Sequence, residues 1–321
     1  LRHTYTYKGC QVYGKHGSPD SIVNADISDA PSDVNNASVI GALSSVISWE
    51  PFDTSTDERP NVDAGSARYT VDRVSGGHNP PVSKGIYGGG AGSEWPFESA
   101  SYAIEGRIEN PGCTPRIRTN DCHFETIDTS TCYVYEGGGT GFEAGDLVSY
   151  NGLIDYLGAP YASQKENKKD NWSVAGIPFF GFSDAGEDAK LPRIDHPLEN
   201  FIPVSALLAG RSRVNYAGGG GDGGGTCSVV SKCLELGDVL ILRDNDRSKL
   251  PGCSDPIAKK VLFQLEHYGS PVSDTDNTGV SGFRFSQDSN GRHDWPGKVF
   301  TCLGGIAFDT TNWRLLKRSY F

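Results

Sequence analysis

The chain has 321 residues, a formal net charge of −11 and eight cysteines. That length allows one large or two medium domains around a sizeable core. The acidic balance argues against nucleic acid or an anionic membrane surface as a partner, and no apolar run approaches the roughly 20 residues a membrane-spanning helix needs.

Methionine is absent, position 1 included, so Leu1 reads as the start of a processed chain whose signal peptide has been removed. Cys10, Cys113, Cys122, Cys132, Cys227, Cys233, Cys253 and Cys302 form an even set without a CxxC pair, and no histidine stands at zinc-ligand spacing from them. Four disulfides in an oxidising compartment are therefore expected, with the pairing left open. The triplets Asn36-Ala-Ser and Asn171-Trp-Ser are N-glycosylation sequons and fit a secreted glycoprotein. The expected location is extracellular, with no membrane span.

Tyr5, Tyr7, Val12 and Tyr13 suggest an opening strand stapled through Cys10. Asn35 or Asn36 is placed to cap a short helix in which Val39, Ile40, Leu43 and Val46 recur at helical spacing. Asn36 thus has two competing roles, helix cap and glycan acceptor. Residues 50–112 are turn-rich, with short strands such as Ala67–Val74 and with His78 in a Gly-Pro loop.

The stretch Asn120–Glu136 is the most informative. Asp121–Ile127 and Cys132–Glu136 alternate apolar and polar residues around a turn at Asp128–Thr131, which predicts a β-hairpin. Pairing Ile127 with Cys132 sets His123 opposite Glu136, with Glu125 and Val134 on the same face and Cys122, Phe124, Tyr133 and Tyr135 on the other. An imidazole beside a carboxylate is an acid–base pair in kind; the alternative is a surface cross-strand pair. The following Gly-Gly-Gly-Thr-Gly-Phe-Glu-Ala-Gly-Asp reads as a flexible loop, and no phosphate-binding motif accompanies its glycines.

Beyond the apolar run Val174–Phe182 lies the adjacent pair Asp195–His196. Pro197 permits a helix to start there, which would set the pair at a helix N-terminus where anions are favoured; a simple N-terminal charge is the other reading of Asp195. Residues 216–226 are a Gly-rich loop, the one candidate for an internal boundary in an otherwise single domain over residues 1–321. Val239–Leu242 reads as a strand running into Arg243. The clearest helix is Asp255–Tyr268: Ser254 or Asp255 caps it, Pro256 opens it, Ile257, Val261, Leu262 and Leu265 form its stripe, and Gly269 ends it. Gly279–Ser286 and Val299–Phe308 are expected as further alternating segments, before Trp313 and the basic Leu-Leu-Lys-Arg run. The fold class expected is mainly β with a few short helices, a disulfide-stabilised sandwich or irregular barrel.

These motifs, taken in order, resemble a functionally uncharacterised family of secreted, mostly bacterial proteins. The resemblance runs nearly end to end. It rests on Val23-Asn-Ala-Asp-Ile-Ser-Asp-Ala-Pro with the helix Ala37–Leu43, on the hairpin residues Asp121, His123, Asp128, Cys132, Tyr135 and Glu136, and on Gly176-Ile-Pro-Phe-Phe-Gly-Phe. It continues through Ile194–Leu198, a Leu-x-Leu strand before Arg243, and a helix ending in His267-Tyr-Gly. The chain departs in having Arg243 for a lysine, Asp274-Thr-Asp for Asp-Asn-Gly, Pro197, and the Gly-rich insertion. The resemblance implies a fold family and no activity.

Two functional classes follow. One is an extracellular carbohydrate-active enzyme, a glycoside hydrolase or polysaccharide lyase, with His123, Glu136, Asp195 and His196 as acid–base groups, Asp244 and Asp274 as carboxylates to complete a pair, and Arg243 and Asp274 at the substrate. Trp95, Trp172 and Trp295 are placed to stack on sugar rings, with a place in the core as the equal alternative for each. The other is a non-enzymatic glycoprotein, glycan-binding or a self-assembling subunit of a surface layer, sheath or fibre. A polysaccharide and a homo-oligomer are the partners expected. No cofactor is expected; a zinc or calcium site on the same four residues lacks any recognised spacing, and no GxSxG elbow supports a serine hydrolase.

Overall fold

The structure is a computed structural model. It describes residues 25–47, 192–198, 200, 202–209, 225–272, 281–283 and 296–320 in full, together with the backbone of strands elsewhere. Among the described residues there are three α-helices and strands arranged in six small sheets.

The principal sheet has five strands. They are β1 (Asn200–Pro203), β4 (Val239–Leu242), β5 (Ser270–Asp276), β6 (Gly282–Phe283) and β7 (Trp313–Leu315), in the order β6-β1-β5-β4-β7. β1 runs parallel to β5, and the remaining pairings are antiparallel. A parallel pair requires a crossover, and this one carries β2 (Leu207–Ser212), β3 (Leu234–Leu236), β4 and the helix α2 (Pro256–His267). β2 and β3 flank the Gly-rich segment and pair with one another, Leu207 against Leu234, while the Cys227 amide donates to Leu207 O.

The sheet is buried on both faces. Side chains alternate along a strand. Leu240 and Leu242 of β4, with Trp313 and Leu315 of β7, join a core made with α1 (Asn36–Leu43), α2 and α3 (Gly297–Gly304). Val239, Ile241 and Arg314 take the other face, which a strap of residues 25–33 covers. The strap is held at both ends: Ile27 N donates to His267 O, and Lys317 N donates to Pro31 O. β4 therefore reads as four consecutive buried apolar residues with no alternation, as a strand covered on both sides must.

α2 forms where its sequence signals lie. Asp255 caps it through Oδ1, accepting from Ile257 N and Ala258 N, with Pro256 in the first turn. Ala258, Val261, Leu262 and Leu265 are buried, and Ile257 packs at the margin. Gly269 follows at φ +69, where an added Cβ would meet Val239 Cγ1 at 2.8 Å and Leu240 O at 2.9 Å. In α1, Val39, Ile40 and Leu43 are buried as the spacing requires. Asn35 occupies the cap position without a side-chain cap bond, while Asn36 Oδ1 accepts from Leu315 N at 2.6 Å. Two disulfides lie among the described residues, Cys227–Cys233 and Cys253–Cys302. The second ties the turn before α2 to α3.

Several expectations are corrected. Pro197 opens no helix: Leu198 N donates to Gly269 O and the chain enters β1, because a backbone partner is already in place along β5. Val299–Phe308 is not a strand; its first part lies in α3, with Val299, Phe300, Cys302 and Leu303 buried at helical spacing. The loop after the hairpin contains paired strands, Gly141–Glu143 with Asp146–Val148. The hairpin forms over Phe124–Asp128 and Tyr133–Gly138, within a four-stranded sheet that also includes Arg68–Val71 and Asn151–Tyr156, but its register differs. Ile127 pairs with Val134, and Glu125 rather than position 123 stands opposite Glu136. The shift is two residues, which leaves the alternation unchanged.

Gly269→Ala is expected to destabilise the protein by about 2–4 kcal/mol, combining left-handed strain with overpacking against Val239; urea unfolding measures it. Replacing both Cys253 and Cys302 by alanine should cost about 2–4 kcal/mol and lower the melting temperature without abolishing the α2 signal in circular dichroism.

Candidate functional site

Asp195 and His196 sit where the chain turns into β1, against the C-terminal half of α2. His196 is fully buried. Its Nδ1 lies 2.9 Å from Pro197 O, and a carbonyl only accepts, so the ring carries a proton on Nδ1. The amide of Gln264, also fully buried, stands 3.5 Å from the same nitrogen. Asp195 is held on two sides: Arg193 Nε lies 2.6 Å from Oδ1, and Tyr268 OH donates to the same oxygen at 3.3 Å. Burial and the Asp195 charge push the Tyr268 phenol above its ordinary range, which keeps it a neutral donor. Below this cluster, Asn200 Nδ2 donates to Ser270 O and Ser270 Oγ, and Ser270 Oγ donates to Leu198 O. The pair thus belongs to a polar seam joining the entry to β1 with α2 and β5.

On the surface above this seam, the Arg193 guanidinium lies 5.5 Å over the Phe263 ring, and Phe263 stacks on His267 with centroids 4.0 Å apart. His267 Nδ1 stands 3.0 Å from Asp26 Oδ2. Burial acts to raise the Asp26 carboxyl, but hydrogen bonds from His267 and Ser28 outweigh it and hold the group below its usual value. This stack closes the strap over the end of α2.

A second cluster lies at the end of β4. Glu266 Oε1 accepts from Arg247 Nη1 at 2.8 Å; Arg247 also donates to Asn245 O, at 3.2 Å, and to Arg243 O, at 2.5 Å. Burial pushes the Glu266 carboxyl up from 4.5 to about 7, with Asp244 adding to the rise and Arg247 opposing it. Asn245 Nδ2 donates to Thr311 O, so the turn after β4 is fastened to the turn before β7.

The structure therefore brings Asp195 and His196 together and places Arg243 in a different cluster. Glu136 and Asp274 are described as backbone positions only, and Cys10 likewise. His123, Asn171, Cys113, Cys122 and Cys132 lie outside the described residues, as do Trp95, Trp172 and Trp295. Among the described residues, no group of three or more His, Cys, Asp or Glu is arranged to hold a metal ion. Sequence reading missed Glu266, Arg247 and Tyr268. Glu266 had a signal: it stands four residues after Leu262 and one after Leu265, so it borders the apolar stripe of α2. Comparison with known protein families, with curated proteins and with solved structures finds no match to this chain.

A carboxyl whose folded-state pKa is raised contributes stability while it is protonated and loses it as pH rises through the folded pKa. Wild-type protein is therefore expected to lose stability between about pH 4.5 and pH 7 from this group, and Glu266→Gln should flatten that part of the profile; chemical denaturation across the range measures both. Tyr268→Phe is expected to cost about 1 kcal/mol through loss of the bond to Asp195.

Proposed function

We propose that this protein is a non-catalytic, extracellular, disulfide-stabilised module that binds glycan, built on a mainly β scaffold and related to the uncharacterised secreted family that its motifs resemble. The observation that carries this reading is the state of Asp195 and His196. A general acid or base must reach a substrate proton within hydrogen-bond distance, directly or through one water. His196 has no exposed surface and its Nδ1 bonds to the chain's own Pro197 carbonyl, while Asp195 is 9% exposed and braced by Arg193 and Tyr268. Both groups serve the packing of β1 on α2. The two disulfides and the lack, among the described residues, of any helix long and apolar enough to cross a membrane are compatible with secretion.

One observation favours the enzyme reading. Glu266 has its pKa raised to about 7, the range in which a carboxyl can act as a general acid near neutrality. It keeps partial access to solvent, at 17% of its side chain, but Arg247 occupies one of its oxygens.

The two readings separate in a turnover assay. Purified protein is incubated with pectate, alginate, chitin and dextran, and new reducing ends and unsaturated products are followed. No turnover above the blank is expected. Turnover that disappears in Glu266→Gln would replace the non-catalytic reading with the enzymatic one.

A further inference from the structure

Five arginine side chains are described, and four of them are engaged. Arg193 pairs with Asp195 at 2.6 Å and Arg247 with Glu266 at 2.8 Å. Arg318 grips Asp238 through Nε and Nη2 and also reaches Glu235. Arg314 donates to the carbonyls of Ile27, Ser28 and Ala30. Arg243 differs. Among the described residues no carboxylate lies within ion-pair distance of it. Its Nε is buried without an acceptor, as is the Nε of Arg247, but Arg247 has Glu266 and two carbonyls on its terminal nitrogens and Arg243 has no such partner among the described residues. A buried donor left unmade costs about 1–3 kcal/mol, more when charged, so its retention calls for a reason.

The backbone around Arg243 is held firmly. Its N–H donates to Asn312 O at 2.7 Å, its carbonyl accepts from Arg247, and the next turn is pinned by Asn245 to Thr311. By alternation Arg243 shares a face with Ile241, whose partner across the sheet is Arg314. The Arg243 charge is close enough to depress the Arg314 pKa, second to burial. Two guanidiniums thus stand on one face at the end of β4 and β7: one is committed to the strap, and the other is half-buried without an acidic partner among the described residues.

We infer that Arg243 is an anion-binding residue and that its ligand is an acidic polysaccharide, engaged through a carboxylate or sulfate group. The inference deepens the glycan-binding reading and rests on it. A carboxylate or sulfate oxygen accepting from the guanidinium gives Arg243 the partner it lacks and offsets the repulsion from Arg314. The net charge of −11 opposes any polyanion, so binding rests on the local contact between one sugar carboxylate or sulfate and this one cation. The exposed Asp244 next to it is an acceptor for sugar hydroxyls.

The test is affinity electrophoresis and calorimetry of the whole chain with polygalacturonate, chondroitin sulfate and dextran, against galacturonate monomer and sodium sulfate as small-anion arms. Wild type is expected to be retarded by the acidic polymers and not by dextran. Arg243→Ala should weaken this binding roughly tenfold or more, as loss of a charged hydrogen bond implies, and Arg243→Lys should fall between. Arg243→Ala should also melt at or above the wild-type temperature, because the side chain lacks a structural partner. Unchanged binding by Arg243→Ala, or a clearly lowered melting temperature, overturns the assignment. Monomer or sulfate binding as tightly as polymer reduces the site to a small-anion site and overturns the polysaccharide. Retardation by dextran alone sinks the Arg243 inference and leaves the glycan-binding reading standing. Cleavage of a bound acidic polymer does the reverse to the non-catalytic reading, and no retention of any glycan overturns both.

Discussion

The Arg314 guanidinium, on the edge strand β7, donates to the carbonyls of Ile27, Ser28 and Ala30, joining segments 284 to 287 residues apart. A charge taken out of water is costly unless its donors are satisfied. Here the acceptors are backbone oxygens of a turn that would itself have unmade bonds without the arginine. Each side thus depends on the other. The strap cannot leave without stripping Arg314 of its acceptors, and β7 cannot leave without taking the side-chain donor from the Ser28 and Ala30 carbonyls; Ile27 O keeps its bond from Ala30 N. With the strap in place, Val239 and Ile241 are covered and the sheet can be apolar on both faces.

The same bookkeeping of charge runs through the rest of the described fold. Arg318 is compensated by Asp238 and Glu235 and also donates to Cys233 O, which draws the C-terminal segment onto β3 beside the Cys227–Cys233 disulfide. Arg247 is compensated partly by Glu266 and partly by carbonyls, and burial pushes the Glu266 carboxyl up from its ordinary value. Removing one member of a buried ionic pair leaves the other stranded, so these arginines act as fasteners. Arg243 has no such compensation among the described residues, and the binding role proposed for it rests on that difference.

The seam formed by Asp195, His196, Gln264, Tyr268, Asn200 and Ser270 illustrates how residue types associated with chemistry can serve packing. β1 must enter beside β5 with its backbone groups satisfied, and side-chain amides, a hydroxyl and an imidazole supply bonds that the irregular entry cannot make for itself. Acid–base capacity in a sequence motif becomes catalytic only where solvent and substrate can reach it. In this chain that access differs between Glu266, partly open, and His196, closed.

Interactions that reach only a few residues along the chain were legible from the amino-acid order. The Asp255 cap, Pro256, the apolar stripe and Gly269 define α2 within one residue of its observed ends, and the apolar residues of α1 and the run Val239–Leu242 were readable for the same reason. Decisions that depend on a distant partner were not. Alternation is unchanged by a two-residue slip, so the hairpin pattern could not distinguish Ile127 opposite Cys132 from Ile127 opposite Val134. Pro197 permits a helix locally, but Gly269 O, supplied from the end of α2, draws Leu198 into the sheet. The burial of His196, the bracing of Asp195 and the unmet Nε of Arg243 are likewise tertiary facts. A side chain's type states which bonds it can make, and only the packed neighbours decide which of those bonds are taken.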